Sequence, residues 1–107
     1  ASLILSGSDD ATIKCWERGS GKEMRTFKGH EDIVTSVAFS PDAKHILSTS
    51  YDHTIKIWET ETGQCIKTIP LLWIPEQIKV HPTKHGLAAT ANGNGTVTLF
   101  DLKEVTQ

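Results

Sequence analysis

The sequence predicts an all-β protein made of stacked, antiparallel, four-stranded units, and three observations carry that expectation. An eleven-residue window repeats without a gap. Residues 6–16, 48–58 and 90–100 superpose at an offset of 42, aligning Thr12, Thr54 and Thr96, then Ile13, Ile55 and Val97, then Trp16, Trp58 and Phe100. Short segments rich in β-branched and aromatic residues alternate with turn signals, which is the pattern of short strands. No window of eleven or more residues carries an apolar stripe at helical period, so no helix is expected. A period between about 20 and 50 residues marks a stacked architecture in which no unit covers its own faces.

The middle unit justifies its elements in order. Residues 34–39, 45–50 and 54–58 read as strands, and residues 63–69, which repeat residues 21–27, supply a further segment. Ser40-Pro41-Asp42-Ala43-Lys44 is a hairpin connection, because proline presets φ and aspartate bonds its own backbone. Asp52-His53 and Asn94-Gly95 fall in tight turns where a positive φ is tolerated. Glu61-Thr62-Gly63 separates the next pair, giving four antiparallel strands for each repeat.

Composition narrows the class without naming a function. The chain has 107 residues, 37% hydrophobic and 22% charged, with a formal net charge of −2. A basic nucleic-acid footprint is absent, so nucleic acid is not an expected partner. The longest apolar run, residues 69–75, has seven residues and two prolines, far short of a membrane span. Two cysteines 50 positions apart make neither a disulfide framework nor a metal-ligand spacing. Free thiols suit a reducing compartment, and a cytoplasmic or nuclear location is expected.

The repeated unit resembles the tryptophan–aspartate (WD) repeat, which its family uses as one blade of a β-propeller. The resemblance rests on Gly29-His30, Val34, Val37, Phe39-Ser40-Pro41-Asp42, Ser48, Asp52, Thr54 and Ile55-Lys56-Ile57-Trp58-Glu59. Of the closing dipeptide, tryptophan is present twice but glutamate follows it at Glu17 and Glu59, whereas the third copy closes with Phe100-Asp101. The resemblance implies a partial blade over residues 1–28, holding its last three strands, and a complete blade over 29–69. A degenerate partial blade with three strands follows over 70–107. About two and a half blades leave backbone groups unpaired at two edges, so the chain is expected to be a slice of a larger ring that packs against neighbouring blades.

Ser48, His30 and Asp52 are the residue types of a nucleophile, a base and its orienting acid. The resemblance gives them a structural task instead: with Trp58 they form a buried hydrogen-bond chain, and the indole fills the space a substrate carbonyl needs. No catalytic residue is therefore expected. Ser6, Asp10 and Trp16 match three of the four positions in the first blade. In the third, Thr90 is kept, Asn94 replaces the aspartate, Phe100 replaces the tryptophan and Leu72 stands where His30 predicts a histidine. No polar chain is expected there, and apolar contact should substitute.

That drift marks the one candidate for partner binding, the loop of residues 70–75. Leu71, Trp73 and Ile74 have the chemistry of an interface anchor, with Tyr51 and His53 as weaker anchors on the same face. The competing expectation is that Leu72 and Trp73 turn inward to fill the vacated volume. His81 and His85 are spaced like zinc ligands but lack a second pair, so no metal is expected. Asn94-Gly95-Thr96 matches a glycosylation acceptor but sits in a tight turn, and Gly93 and Gly95 lack the lysine of a phosphate-binding loop. Cys15, aligned with Ile57 and Leu99, should be buried, and Cys65 exposed. No cofactor is expected. A non-catalytic scaffold for protein complexes is the leading expectation; the alternative is a sensor or regulatory segment of a larger enzyme, such as a nucleotide hydrolase or kinase.

Overall fold

The structure is a computed structural model that describes residues 3–40, 43–80 and 87–101. Pro41, Asp42, His81 and His85 lie outside these residues, as does the side chain of Phe100. Among the described residues, ten strands form three antiparallel sheets. The first holds β1 (Leu3–Gly7), β2 (Thr12–Glu17) and β3 (Glu23–Lys28). The second holds β4 (Val34–Phe39), β5 (His45–Ser50), β6 (Thr54–Glu59) and β7 (Cys65–Pro70). The third holds β8 (Pro75–Val80), β9 (Leu87–Asn92) and β10 (Val97–Asp101). Each strand pairs with its neighbour in sequence, so every sheet is a meander with local connections.

The 42-residue period extends to backbone conformation. Ala11, His53 and Gly95 occupy the left-handed region at φ 71°, 68° and 84°, one at each tight turn. Each N–H closes the turn onto the carbonyl three residues back: Ala11 to Ser8, His53 to Ser50 and Gly95 to Asn92. Behind each turn a side-chain oxygen accepts from the next strand. Asp10 Oδ1 accepts the Thr12 N–H at 3.0 Å, Asp52 Oδ1 that of Thr54 at 3.0 Å, and Asn94 Oδ1 that of Thr96 at 3.1 Å. Each threonine hydroxyl donates to the same oxygen. Asparagine does this local work as well as aspartate, because only an acceptor oxygen is required.

Alternation along the strands sends residues to opposite faces of the middle sheet. Ile46 and Trp58 pack toward the first sheet in a cluster with Ile13, Cys15, Phe27 and Val34. Leu47, Ile55 and Ile57 pack toward the third in a cluster with Ile78 and Ala88. Close approach makes two glycines necessary. A Cβ on Gly7 would lie 2.7 Å from Val34 Cγ1, and one on Gly29 would lie 2.9 Å from Trp58 Cη2. Cys15 is buried, and that burial pushes its thiol pKa up against the opposing charge of Arg25. Cys65 departs from the expected exposure: it is half-buried against the first cluster, with its Sγ 3.4 Å from the Lys67 carbonyl.

The shared turn geometry has a stability consequence. Gly95→Ala, which forces a Cβ into the left-handed region, should lower unfolding stability by about 1 kcal/mol, measured by chemical denaturation.

Candidate functional site

The middle sheet carries a buried polar chain that fixes one end of its strands. Trp58 on β6 donates its indole N–H to Ser48 Oγ on β5 at 2.9 Å. Ser48 Oγ lies 2.6 Å from His30 Nε2, and His30 Nδ1 lies 2.8 Å from Asp52 Oδ2. Since the carboxylate can only accept, Nδ1 carries the proton, and Ser48 donates its hydroxyl proton to Nε2. The chain thus runs in one direction from indole through hydroxyl and imidazole to carboxylate. Asp52 also accepts the Glu31 N–H at 3.1 Å, which ties the loop before β4 to the turn after β5. Trp58 meets Phe27 of the first sheet edge-on at 5.7 Å and His30 at 6.0 Å.

Burial and charge act on this chain in opposite senses. Desolvation pushes the His30 pKa down, and the hydrogen bond and charge of Asp52 oppose it without overcoming it, so His30 is neutral near pH 7. For Asp52, burial pushes up, but hydrogen bonds from Thr54, His30 and the Glu31 N–H outweigh it and hold the carboxyl below its ordinary value. Ser48 is 0% exposed and its oxygen is engaged by both indole and imidazole. No carbonyl substrate can reach that hydroxyl, so these three residue types act as a brace.

The other sheets solve the same problem differently. In the first, Trp16 donates to Ser6 Oγ at 3.0 Å, while Asp10 serves its own turn through Thr12 and Ser8. In the third, the expectation of purely apolar contact fails. Thr90 donates to Asn92 Oδ1 at 2.9 Å, and Asn92 Nδ2 donates to Thr96 at 3.1 Å and Thr98 at 3.0 Å. Asn92, 6% exposed, aligns with Ser8 and Ser50, and its longer amide spans the gap to β10 that a serine cannot. The alternating Thr96 and Thr98 opposite Asn92 were the sequence signal for this network.

Over the braces lie the loops at one end of the three sheets, and backbone hydrogen bonds stitch them together. The Val34 N–H donates to the Ser8 carbonyl at 3.2 Å, and Tyr51 to Ile33 at 2.9 Å. Leu71 donates to His53 at 2.7 Å, and Gly93 to Ile74 at 2.8 Å. Turns 8–11, 51–53 and 93–96 and loops 29–33 and 71–74 therefore form one continuous face.

The candidate anchors occupy different levels of that face. Leu71 is half-buried against the second core cluster, and Ile74 is half-buried. Trp73 is also half-buried, with its indole N–H closed from solvent and without an acceptor among the described residues. Leu72 does not turn inward to replace a histidine: it is 90% exposed, while Tyr51 is 43% exposed and His53 is exposed beside it. Alignment with His30 pointed to position 72 as different but gave no direction for its side chain. The opposite end of the middle sheet holds a cavity of about 490 Å³ lined by Ala43, Lys44, His45, Glu59, Thr60 and Glu61, a mixture of both charges.

Two outcomes follow from the brace. His30→Ala takes the acceptor from the Ser48 hydroxyl proton and the imidazole donor from Asp52, and should lower stability by about 1–3 kcal/mol in denaturant melts. The lowered His30 pKa means that the unfolded chain binds more protons than the folded one as pH falls below about 6.5. This contribution is complete above that pH and is lost as pH drops through the folded-state pKa; Asp52 adds a similar loss below about 3.8. Thermal midpoints should be flat from pH 7 to 8 and fall as pH drops below about 6.5, and that fall should shrink in His30→Ala.

Against known proteins, residues 1–17 and 21–59 match the family described as WD domain, G-beta repeat. The chain is 46% identical over 42 residues to nuclear distribution protein PAC1-2 of Postia placenta, covering 39% of this chain and 10% of that protein. It is 49% identical over 39 residues to the human peroxisomal targeting signal 2 receptor, covering 36% and 12%. Over 41 residues it is 46% identical to the guanine nucleotide-binding protein subunit beta of Zea mays, covering 37% and 11%. The chain thus spans about a tenth of the length of these relatives. The WD40 β-propeller domain of Doa1 superposes with a TM-score of 0.83 at 27% identity, covering 92% of this chain and 33% of that one. Repeats, sheets and matches agree, and the chain belongs to the WD-repeat family of β-propeller proteins.

Proposed function

We propose that this chain serves as a non-catalytic scaffold, part of a propeller whose loop face docks other proteins during assembly of a complex. The observation that carries the reading is the stitched face itself. Four inter-loop backbone hydrogen bonds hold five loops in fixed relation, and two apolar side chains, Leu72 and Tyr51, stand exposed on it. A pre-organised surface lowers the ordering cost of association, and exposed aliphatic and aromatic groups supply the contact area. Loops on a stiff β scaffold can vary independently without disturbing the sheets beneath. The relatives agree in kind, since one is by name a receptor and another a subunit of a complex.

Leu72 and Trp73 of loop 71–74 should separate in experiment. In the full-length protein, Leu72→Ala should reduce binding of purified, identified partners by about tenfold while leaving the thermal midpoint unchanged. Trp73→Ala should instead lower stability by about 2 kcal/mol, because its large side chain is half-buried. Partner binding indifferent to Leu72, Tyr51 and His53 together would overturn the docking face.

A further inference from the structure

The loop face has a charge character that the rest of the molecule does not share. Its loops contribute Asp9 and Asp10 from the first sheet's turn, and Glu31 and Asp32 from the loop before β4; all four are exposed. Asp52 is also acidic but is committed to His30. No lysine or arginine occurs in residues 8–11, 29–33, 51–53, 71–74 or 93–96. Cations of the adjoining strands border these loops: Lys28 directly precedes loop 29–33, Lys56 lines a hollow with Glu31 and Asp52, and Lys14, whose charge helps hold the Asp10 carboxyl down, pairs with Glu23 at 3.7 Å. The opposite end mixes signs, with Arg18, Lys22 and Lys44 among Glu17, Glu59 and Glu61. A net charge of −2 for the whole chain therefore hides a set of loops whose carboxylates outnumber the lysines at their border.

The apolar group and the acids are neighbours on that face. The Leu71-to-His53 hydrogen bond sets the loop bearing Leu72 against the turn bearing Tyr51, and the Tyr51-to-Ile33 bond sets that turn against the loop bearing Glu31 and Asp32. Leu72 at 90% exposure and Tyr51 at 43% thus stand exposed on adjoining loops, with the carboxylates of Glu31 and Asp32 on the loop bonded to the Tyr51 turn. Among the described residues, none of Asp9, Asp10, Glu31 and Asp32 is in an ion pair. A partner rich in acids, or a phosphate backbone, would meet like charge here, whereas a basic segment would gain from steering and from rim pairing.

From this excess of carboxylates around two exposed apolar side chains, we infer that the docking face takes a basic protein segment, with lysine or arginine residues flanking an apolar side chain. The apolar side chain packs on Leu72 and Tyr51, and the flanking cations lie over Glu31, Asp32 and the Asp9 turn. This rests on the scaffold reading above and specifies its ligand. Long-range attraction sets the association rate and selects the sign of the partner, and the apolar contact sets how long it stays.

The test uses the full-length protein and a fluorescein-labelled peptide with paired arginines on both sides of one leucine, read by fluorescence anisotropy. A matched peptide with glutamate for arginine is the control. The arginine peptide should bind at least tenfold more tightly than the glutamate peptide, and its affinity should fall steeply as salt is raised. Asp9→Lys combined with Glu31→Lys should weaken it more than tenfold, Leu72→Ser about fivefold, and Glu61→Lys at the opposite end by less than twofold. Unchanged thermal midpoints confirm that each variant is folded. Equal affinity for both peptides, no binding of the arginine peptide, or equal loss from Glu61→Lys overturns the inference. If partner binding nevertheless still depends on Leu72, the scaffold reading stands and only the basic ligand falls.

Discussion

Among the described residues, a sheet face leaves water only where another sheet packs on it, and the rest of the structure depends on that constraint. Equivalent positions make the point. Ile13 and Ile55 are both 0% exposed because a further sheet packs on each, whereas Val97, the same position in the third unit, is 66% exposed. Cys15, Ile57 and Leu99 follow suit at 3%, 0% and 69%. Trp58 is buried between the first and second sheets, and Trp16, whose face meets no earlier sheet among the described residues, is half-buried. Repetition gives each unit the same apolar residues, but only stacking removes them from water.

Stacking in turn requires polar groups to be satisfied where sheets converge, and three units meet that requirement in three ways. The middle unit uses a four-residue chain that crosses from loop to strand and holds Trp58 against Gly29 and Phe27. The first unit keeps the tryptophan–serine link, and the third gathers threonines around Asn92. What stays constant is the turn, with its left-handed residue and its acceptor side chain two positions before the threonine it binds. Local geometry is the conserved specification, and the network beneath it adapts to the side chains on hand.

The braces also explain why the loops above them make one surface. Asp52 receives both the imidazole of His30 and the backbone of Glu31, so the turn after β5 and the loop before β4 are fixed to one another. The backbone bonds from Tyr51 to Ile33 and from Leu71 to His53 continue that restraint to the next unit. Leu72 then stands outward on that loop, with its neighbour Leu71 packed against the second cluster and Trp73 half-buried. A side chain displayed this way keeps its exposure without loosening the sheet that bears it.

The sequence by itself determined the all-β class, the repeat, the strands with their turns, and the residue types able to join into the His30 brace. These were legible because strand alternation, turn chemistry and an exact 42-residue period are local or self-similar signals. Only the tertiary structure decided that Leu72 rather than Trp73 faces solvent, that Asn92 organises the third unit, that Cys65 is half-covered, and that scattered acids share one face. Each of those outcomes depends on groups brought together from distant positions, such as Ser8 with Val34 or Asn92 with Thr98 across a sheet. The direction of a side chain in a loop is set by the neighbours that compete for the space beneath it, and a linear pattern carries no record of them.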